Sequence, residues 1–387
     1  MGKICRNLVT VFSTLISSAP LLATPPQYDI VLLVTSSNIR TYTTVDALNN
    51  NGDVVGTFNG YLGEQNAFYI QHSSGSLVFL SAIGEPPGDY PGGYDTAHGI
   101  NDGGKIVGTS TTATDSYPGV AAAWYLTGAM EEIGPFPNGK ALSALAVANN
   151  GLAVGVGFIN DRQANRPVVY RWSNHSMSNL GALPGSINSR PTGISPAGAY
   201  VVGDAYLPAI GESHGFLVNS SGGPMSDLGT LLPKAINDAG TIAGSTKTKV
   251  IDRSGNCCAY HAATATNGVV KDLGNLAGIP AWGSRAEGIN SHGEVVGSSD
   301  SNVGGTPATR AFIYVDGSLN NLQFFVPNRD PNLRLTDALA INCNGWVLAT
   351  GFLVQPNLPP GAMPDFSTQY YLLIPRQPLR ADCPRPH

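Results

Sequence analysis

The stretch Ala235-Ile236-Asn237-Asp238-Ala239-Gly240-Thr241-Ile242-Ala243-Gly244 decides the fold, because variants of it recur along the chain. The pattern is a small residue, an aliphatic, usually Asn, two variable residues, Gly, a β-branched pair and usually a second Gly. Six further copies begin at Ala47, Gly99, Ala146, Gly193, Gly288 and Ala340. Their first glycines are Gly52, Gly104, Gly151, Gly198, Gly293 and Gly345, so with Gly240 the spacing is 42 to 53 residues. A period of that size marks an array of supersecondary units. Asn or Asp opens a type I turn by bonding its own backbone, and Gly three residues later takes the left-handed conformation that returns the chain as a hairpin. The second strand follows at once, as in Val54-Val55, Ile106-Val107, Ala153-Val154, Val201-Val202, Val295-Val296 and Val347-Leu348. The residue before the aliphatic is Ala or Gly in every copy, which predicts a crowded position on innermost strands around an axis.

Two more strands complete each unit. The third is aromatic: Phe68-Tyr69, Trp124-Tyr125, Tyr170-Arg171-Trp172, Phe216, Phe312-Ile313-Tyr314 and Tyr370-Tyr371, with a weaker version at His261-Ala262-Ala263. The fourth sets a polar residue before an aliphatic, as in Glu132-Ile133, Asn179-Leu180, Asp227-Leu228, Asp272-Leu273 and Asn321-Leu322, with Phe79-Leu80 departing. The seventh unit lacks this strand after Tyr370, and a match lies at the other end of the chain in Tyr28-Asp29-Ile30-Val31-Leu32-Leu33. The expectation is an all-β chain, a single seven-bladed β-propeller over residues 27–375 with four-stranded blades, the N-terminal strand closing the last one. Closure removes the free edges an open array would expose.

Composition agrees. Gly 47 and Pro 28 make about a fifth of 387 residues, and charged residues are only 12%, while hydrophobics reach an ordinary 42%. That describes a folded, loop-rich chain and excludes both a helical protein and a disordered one. A net charge of -5 without clustered Lys or Arg excludes a nucleic-acid partner. Lys3 and Arg6 ahead of the apolar run Leu8 to Leu22 read as a secretory signal over residues 1–23, with a signal anchor as the alternative. The run is short for a bilayer span and broken by Ser13, Ser17, Ser18 and Pro20, so no membrane-spanning segment is expected after cleavage. Residues 376–387 form a tail.

The residues Ile236 to Ser245, His214-Gly215-Phe216-Leu217 and Met225-Ser226-Asp227-Leu228-Gly229-Thr230-Leu231 resemble the bacterial extracellular HAF-repeat family, named for a His-Ala-Phe step. The resemblance covers residues 27 to 375. It departs from the family in that no copy has the full triplet: His261 precedes Ala262 and Ala263, and Arg310 precedes Ala311 and Phe312. It implies a secreted or surface protein, extracellular or periplasmic, and brings no catalytic residues with it.

Tight turns join first to second and third to fourth strands on one face, which leaves the other face to long, irregular connections. These are 81–96, 110–120, 157–166, 204–213, 245–259, 298–309 and 352–368. Variable loops on a rigid scaffold are where ligands bind, so this face is the candidate site. Its side chains include Tyr90, Tyr94, Asp95, Asp161, Arg162, Arg166, Tyr206, Glu212, Arg253 and Trp282, with His214 and His261 opening third strands beside it. Solvated polar loops are the competing explanation.

Zincin and complete phosphate-loop motifs do not occur, and no cofactor is implied. His98, His214 and His261 either converge on one rim or share a strand position for structural reasons. The Asn- and Asp-rich turns offer too few carboxylates for calcium. Asp46, His98, Lys234 and Glu287 occupy equivalent inner-strand positions, where they line the axial channel or pair with neighbouring blades. Cys5 leaves with the signal. Cys343, in a tight turn, and Cys383, in the tail leaving the same face, are the expected disulfide, and Cys257 and Cys258 remain as an adjacent pair or free thiols. The function expected is a non-enzymatic binding module for a protein or glycan. A propeller lyase or hydrolase with its site in the funnel of the same face is the alternative.

Overall fold

The structure, a computed structural model, describes residues 26–35, 42–60, 64–81, 94–111, 119–134, 139–161, 164–173, 175–303, 305–355 and 367–377. It contains seven four-stranded antiparallel sheets, and six take their strands in sequence order. The seventh runs Leu333–Ile341, Val347–Leu353, Gln369–Pro375 and then Tyr28–Thr35. That last pairing runs from Tyr28 opposite Pro375 to Thr35 opposite Gln369, with a bulge between Leu32 and Val34. The chain is therefore a seven-bladed propeller closed by its N-terminal strand. The expected signal (1–23) and Cys383 lie outside the described residues.

The hydrophobic core lies between blades. Each of seven apolar clusters joins the facing sides of two neighbours. One sets Ala243 and Ala262 of blade five against Ala286, Val295 and Phe312 of blade six. The ring closes on another, where Val45, Val54, Phe68 and Ile70 of blade one meet Leu348 and Tyr370 of blade seven.

Local geometry explains each position of the repeated motif. The turn glycines, Gly52 to Gly345, have φ between +75° and +86°, and each turn closes with an i to i+3 bond such as Gly293 N to Asn290 O at 3.1 Å. Every inner strand carries a bulge just before the small residue, between Val45 and Ala47 in blade one and Ala286 and Gly288 in blade six. A Cβ on Gly288 would stand 3.2 Å from the Cα of Ala340 in the next blade. The second motif glycine faces the bulge. A Cβ on Gly56, Gly108, Gly155, Gly203, Gly244 or Gly297 would lie 1.8 to 2.1 Å from an inner-strand carbonyl oxygen.

The motif Asn does more than open its turn. Its Oδ1 accepts from the backbone N–H four residues on, and its Nδ2 donates to the backbone carbonyl of the matching turn in the next blade. Asn49 thus reaches Asn101 O (3.1 Å), Asn101 reaches Ala148 O (2.9 Å) and Asn237 reaches Asn290 O (3.0 Å). Asn290 continues to Asn342 O (3.2 Å), and Asn342 closes the circle on Asn49 O (3.0 Å). Where the motif has Ala148 or Ser195 instead, neighbours supply the link: Asn149 N donates to Pro196 O, and Ala197 N donates to Asp238 Oδ1. We expect Asn290→Ala to cost roughly 2 kcal/mol, because it strands the buried Glu294 N–H and the Asn342 carbonyl. Asn290→Asp should cost at least as much, since it keeps the cap but sets a carboxylate against a carbonyl. Denaturant melts of the two variants check this, and an Asp variant as stable as wild type would show that the interblade bond contributes nothing.

The long connections differ from expectation in three blades. Residues 157–166 belong to a hairpin of Ala153–Asp161 with Ala164–Ser173, paired out to Asp161 opposite Ala164. Residues 204–213 form a second, with Leu207 opposite Glu212, and residues 298–309 a third, with Val303 opposite Thr306. Antiparallel pairing continues past the blade because the backbone groups of adjoining strands satisfy each other most cheaply by extending the ladder. These are stiff ribbons rather than irregular loops.

Candidate functional site

The proposed binding residues are scattered around the ring. Tyr90 and Arg162 lie outside the described residues, and Asp161 and Arg166 are placed only by backbone, on the blade-three ribbon. Tyr94 and Tyr206 are exposed, but on different blades. Asp95 is fully buried, with its N–H bonded to Gln65 O, so it is not part of a surface. Glu212 is paired with Lys247 at 2.7 Å. Among the described residues, Glu212 and His214 lie near each other on the blade-four ribbon, and Arg253 and Trp282 come together, the guanidinium 5.5 Å from the indole centroid.

His214 and His261 are structural. Each opens a third strand and places Nδ1 2.9 Å from the Asp that opens the fourth strand's final turn, Asp227 and Asp272 respectively. Those carboxylates also accept from Gly229 N and Gly274 N. The pair therefore fastens the outer strand to the third, and this accounts for the recurrence of His with Asp-Leu-Gly in the sequence. His98 is elsewhere, on the inner strand of blade two, beside Thr96 Oγ1 at 3.0 Å.

Asp46, His98, Lys234 and Glu287 sit at the inner-strand bulges, where Asp46 feels Lys234 across the axis and Lys234 pairs with the next blade. Lys234 Nζ is 3.6 Å from Glu287 of the next blade, while Arg285 contacts Glu287 at 2.8 Å and Asp337 of blade seven at 2.6 Å. The Asp46 carboxyl is pushed up to about 6 by burial, against partial relief from the Thr44 hydroxyl and the Lys234 ammonium across the axis. Asp46 itself stays open to solvent, with protein packed densely around it. Burial also raises Glu287, with Asp337 adding to the effect, and lowers His98 to about 4.

These shifts have opposite consequences. Between pH 4 and 6 native Asp46 holds a proton that the unfolded chain has lost, so stability falls as pH rises. Native His98 is neutral where the unfolded chain is protonated, so stability rises with pH between about 4 and 6.5. The two largely offset in the wild type. Asp46→Asn should therefore show a melting temperature that climbs through this window, and His98→Gln one that falls. Parallel curves for the two variants would refute the assignment of both groups to the axial ring.

Cavities open at both ends. At the turn face, Leu48, Ile100, Val147, Ile194, Ile289 and Ile341 line a mouth of about 330 Å³. Its polar rim is largely used up by the interblade bonds, as with Asp102, which holds Asn50 and Asn149. On the opposite face a cavity of about 500 Å³ lies between blades five and six. One wall is the connection carrying Asp252, Arg253, Ser254, Cys258 and Tyr260, and the other is formed by Ala281, Gly283, Ser284 and Arg285 with Ser298, Asp300 and Thr309. Asp300 organises it, accepting from Gly283 N at 3.0 Å and standing 3.6 Å from Arg253. Cys257 and Cys258 are bonded to each other, and Cys343 is also disulfide-bonded. Sequence reasoning missed Ser245, Tyr260, Ser298, Asp300 and Thr309, which come from separate strands with no common spacing.

No family model and no curated protein matches the chain. Among solved structures it is similar to the β-propeller domain of the Trilobed protease from Pyrococcus furiosus, at 11% identity over 80% of this chain and 91% of that one, with a TM-score of 0.52. TolB from Acinetobacter baumannii matches at 14% identity over 87% and 80% with a TM-score of 0.38, and an ulvan lyase, a polysaccharide lyase, at 12% over 84% and 92% with 0.41. Identities this low speak to the fold alone. The Pyrococcus domain has an open velcro topology, whereas here Tyr28–Thr35 completes the last blade.

Proposed function

We propose that this propeller is a binding module of the HAF-repeat kind, secreted or displayed at the surface, that holds a protein or glycan on the face of its long connections. The observation that carries the reading is the cavity of about 500 Å³ between blades five and six, walled by connections and open to solvent. Its size and its mixture of an aromatic edge with converging polar groups suit a ligand site. The turn face, by contrast, spends its polar groups on holding blades together. Among the described residues no helix is long and apolar enough to cross a membrane.

The second reading, a lyase or hydrolase, draws on the axial cluster of Asp46, Lys234 and Glu287, where burial has shifted carboxyl groups toward neutrality. The two readings separate in one experiment. Residues 24–387 are immobilised and exposed to a glycan array and to extracellular proteins. Binding that falls tenfold or more in Arg253→Ala and Trp282→Ala, and not in the outer-strand variant Val269→Ser, supports the binding module. Turnover of a retained ligand that Asp46→Asn abolishes supports the enzyme.

A further inference from the structure

Resting on the binding reading, we infer that the cavity between blades five and six takes a neutral carbohydrate. Its walls present hydroxyls with unused hydrogen-bonding capacity. Ser245, Tyr260, Ser298 and Thr309 all line it, and among the described residues none of these hydroxyls bonds to the protein. Ser298 is the most enclosed of them: the residue is only 3% exposed, and it stands on the cavity wall. Hydroxyls on a cavity wall that make no bond to the protein are left to water, and a ligand that displaces that water has to supply the bonds itself. Each hydroxyl can both donate and accept, as sugar hydroxyls do.

Charge argues for neutrality. Arg253 is balanced by Asp300 at 3.6 Å, and Arg285 is already held by Glu287 and Asp337. Asp252 adds a further carboxylate to the wall. An anion would find no cation free of a carboxylate partner, and an apolar ligand would dehydrate the hydroxyls without replacing their bonds. At the rim, Tyr260 is 42% exposed and the Arg253 guanidinium lies over Trp282. The phenol ring offers a flat apolar surface for the C–H face of a pyranose, while Arg253 can donate to, and Asp300 accept from, adjacent ring hydroxyls. A cavity of about 500 Å³ has room for a short oligosaccharide.

The test titrates residues 24–387 by calorimetry and ligand-observed NMR. One panel contains neutral glucan, mannan, xylan and galactan oligosaccharides, and a second their uronate-bearing and sulfated counterparts. At least one neutral oligosaccharide should bind, with an affinity that changes less than twofold between 50 and 500 mM NaCl. Thr309→Val, which keeps the side-chain shape, and Ser298→Ala should each weaken it about tenfold with an unchanged melting temperature. Binding only by acidic sugars, with steep salt dependence, overturns the inference, as does a panel without any binder. If a protein ligand instead depends on Arg253 and Trp282, the carbohydrate inference fails and the binding reading stands. If no ligand of either class depends on this face, both fail.

Discussion

A chain lacking residues 26–35 is expected to aggregate rather than to form a slightly weaker propeller. Tyr28 is fully buried in the cluster that joins blades six and seven, among Val296, Ile313 and Leu373, with Ile30 packed against it. Removing an aromatic from such a place costs about 3 to 5 kcal/mol by itself, a large part of a typical domain's stability. The truncation also exposes Gln369–Pro375 as an unpaired edge rich in Tyr and Leu, a template for pairing with other chains. Light scattering and thermal melts of the truncated protein check this, and a monomer with unchanged melting temperature would show that the ring does not need its closing strand. A circular permutant supplies the control. Arg376 N already donates to Gln27 O at 2.8 Å, so the two strands meet at the turn face as a hairpin would. A chain beginning at residue 42, with residues 26–35 appended after 377 through a short turn, should recover the wild-type melting temperature.

Gly297→Val is expected to be severely damaging although the glycine has no side chain to lose. The added Cβ would fall 2.0 Å from Arg285 O and 3.0 Å from the Cα of Ala286, both backbone atoms of the bulged inner strand. Neither can swing aside, and shifting the bulge would move Arg285 and Glu287 out of the axial ring. We expect a loss of roughly 3 kcal/mol or more. Gly305→Val makes a fair comparison for space, since a Cβ there meets nothing within 4 Å, although its φ of +87° carries a backbone cost of its own. Urea melts should place Gly297→Val well below Gly305→Val, and equal midpoints would mean that the bulge yields freely.

Both predictions rest on features that recur in most blades, and recurrence is what makes a feature legible. The small residue, the turn glycine, the second glycine and the aromatic third strand each appear at a fixed offset, so a single chain contains its own series of comparisons. The Asn of the motif was read correctly as a turn former, but only half its role is local. Its Nδ2 reaches a carbonyl 47 to 53 residues away in successive blades and 293 away where the ring closes, and nothing in a turn's own sequence distinguishes an amide that points outward from one that bridges.

Sequence by itself determined the blade number, the strand order and the closure of the ring, because these follow from the periodic alternation of turn chemistry and β-branched residues along the chain. Which polar residues remain free for a ligand was decided only by tertiary structure. His214 and His261 proved to be fasteners, Asp95 a buried group and Glu212 half of an ion pair, while the unassuming Ser298 and Thr309 line the cavity beside Arg253. The physical reason is that a hydrogen bond is spent or unspent according to its partner. Those partners sit on other strands and other blades, at separations that no local pattern encodes.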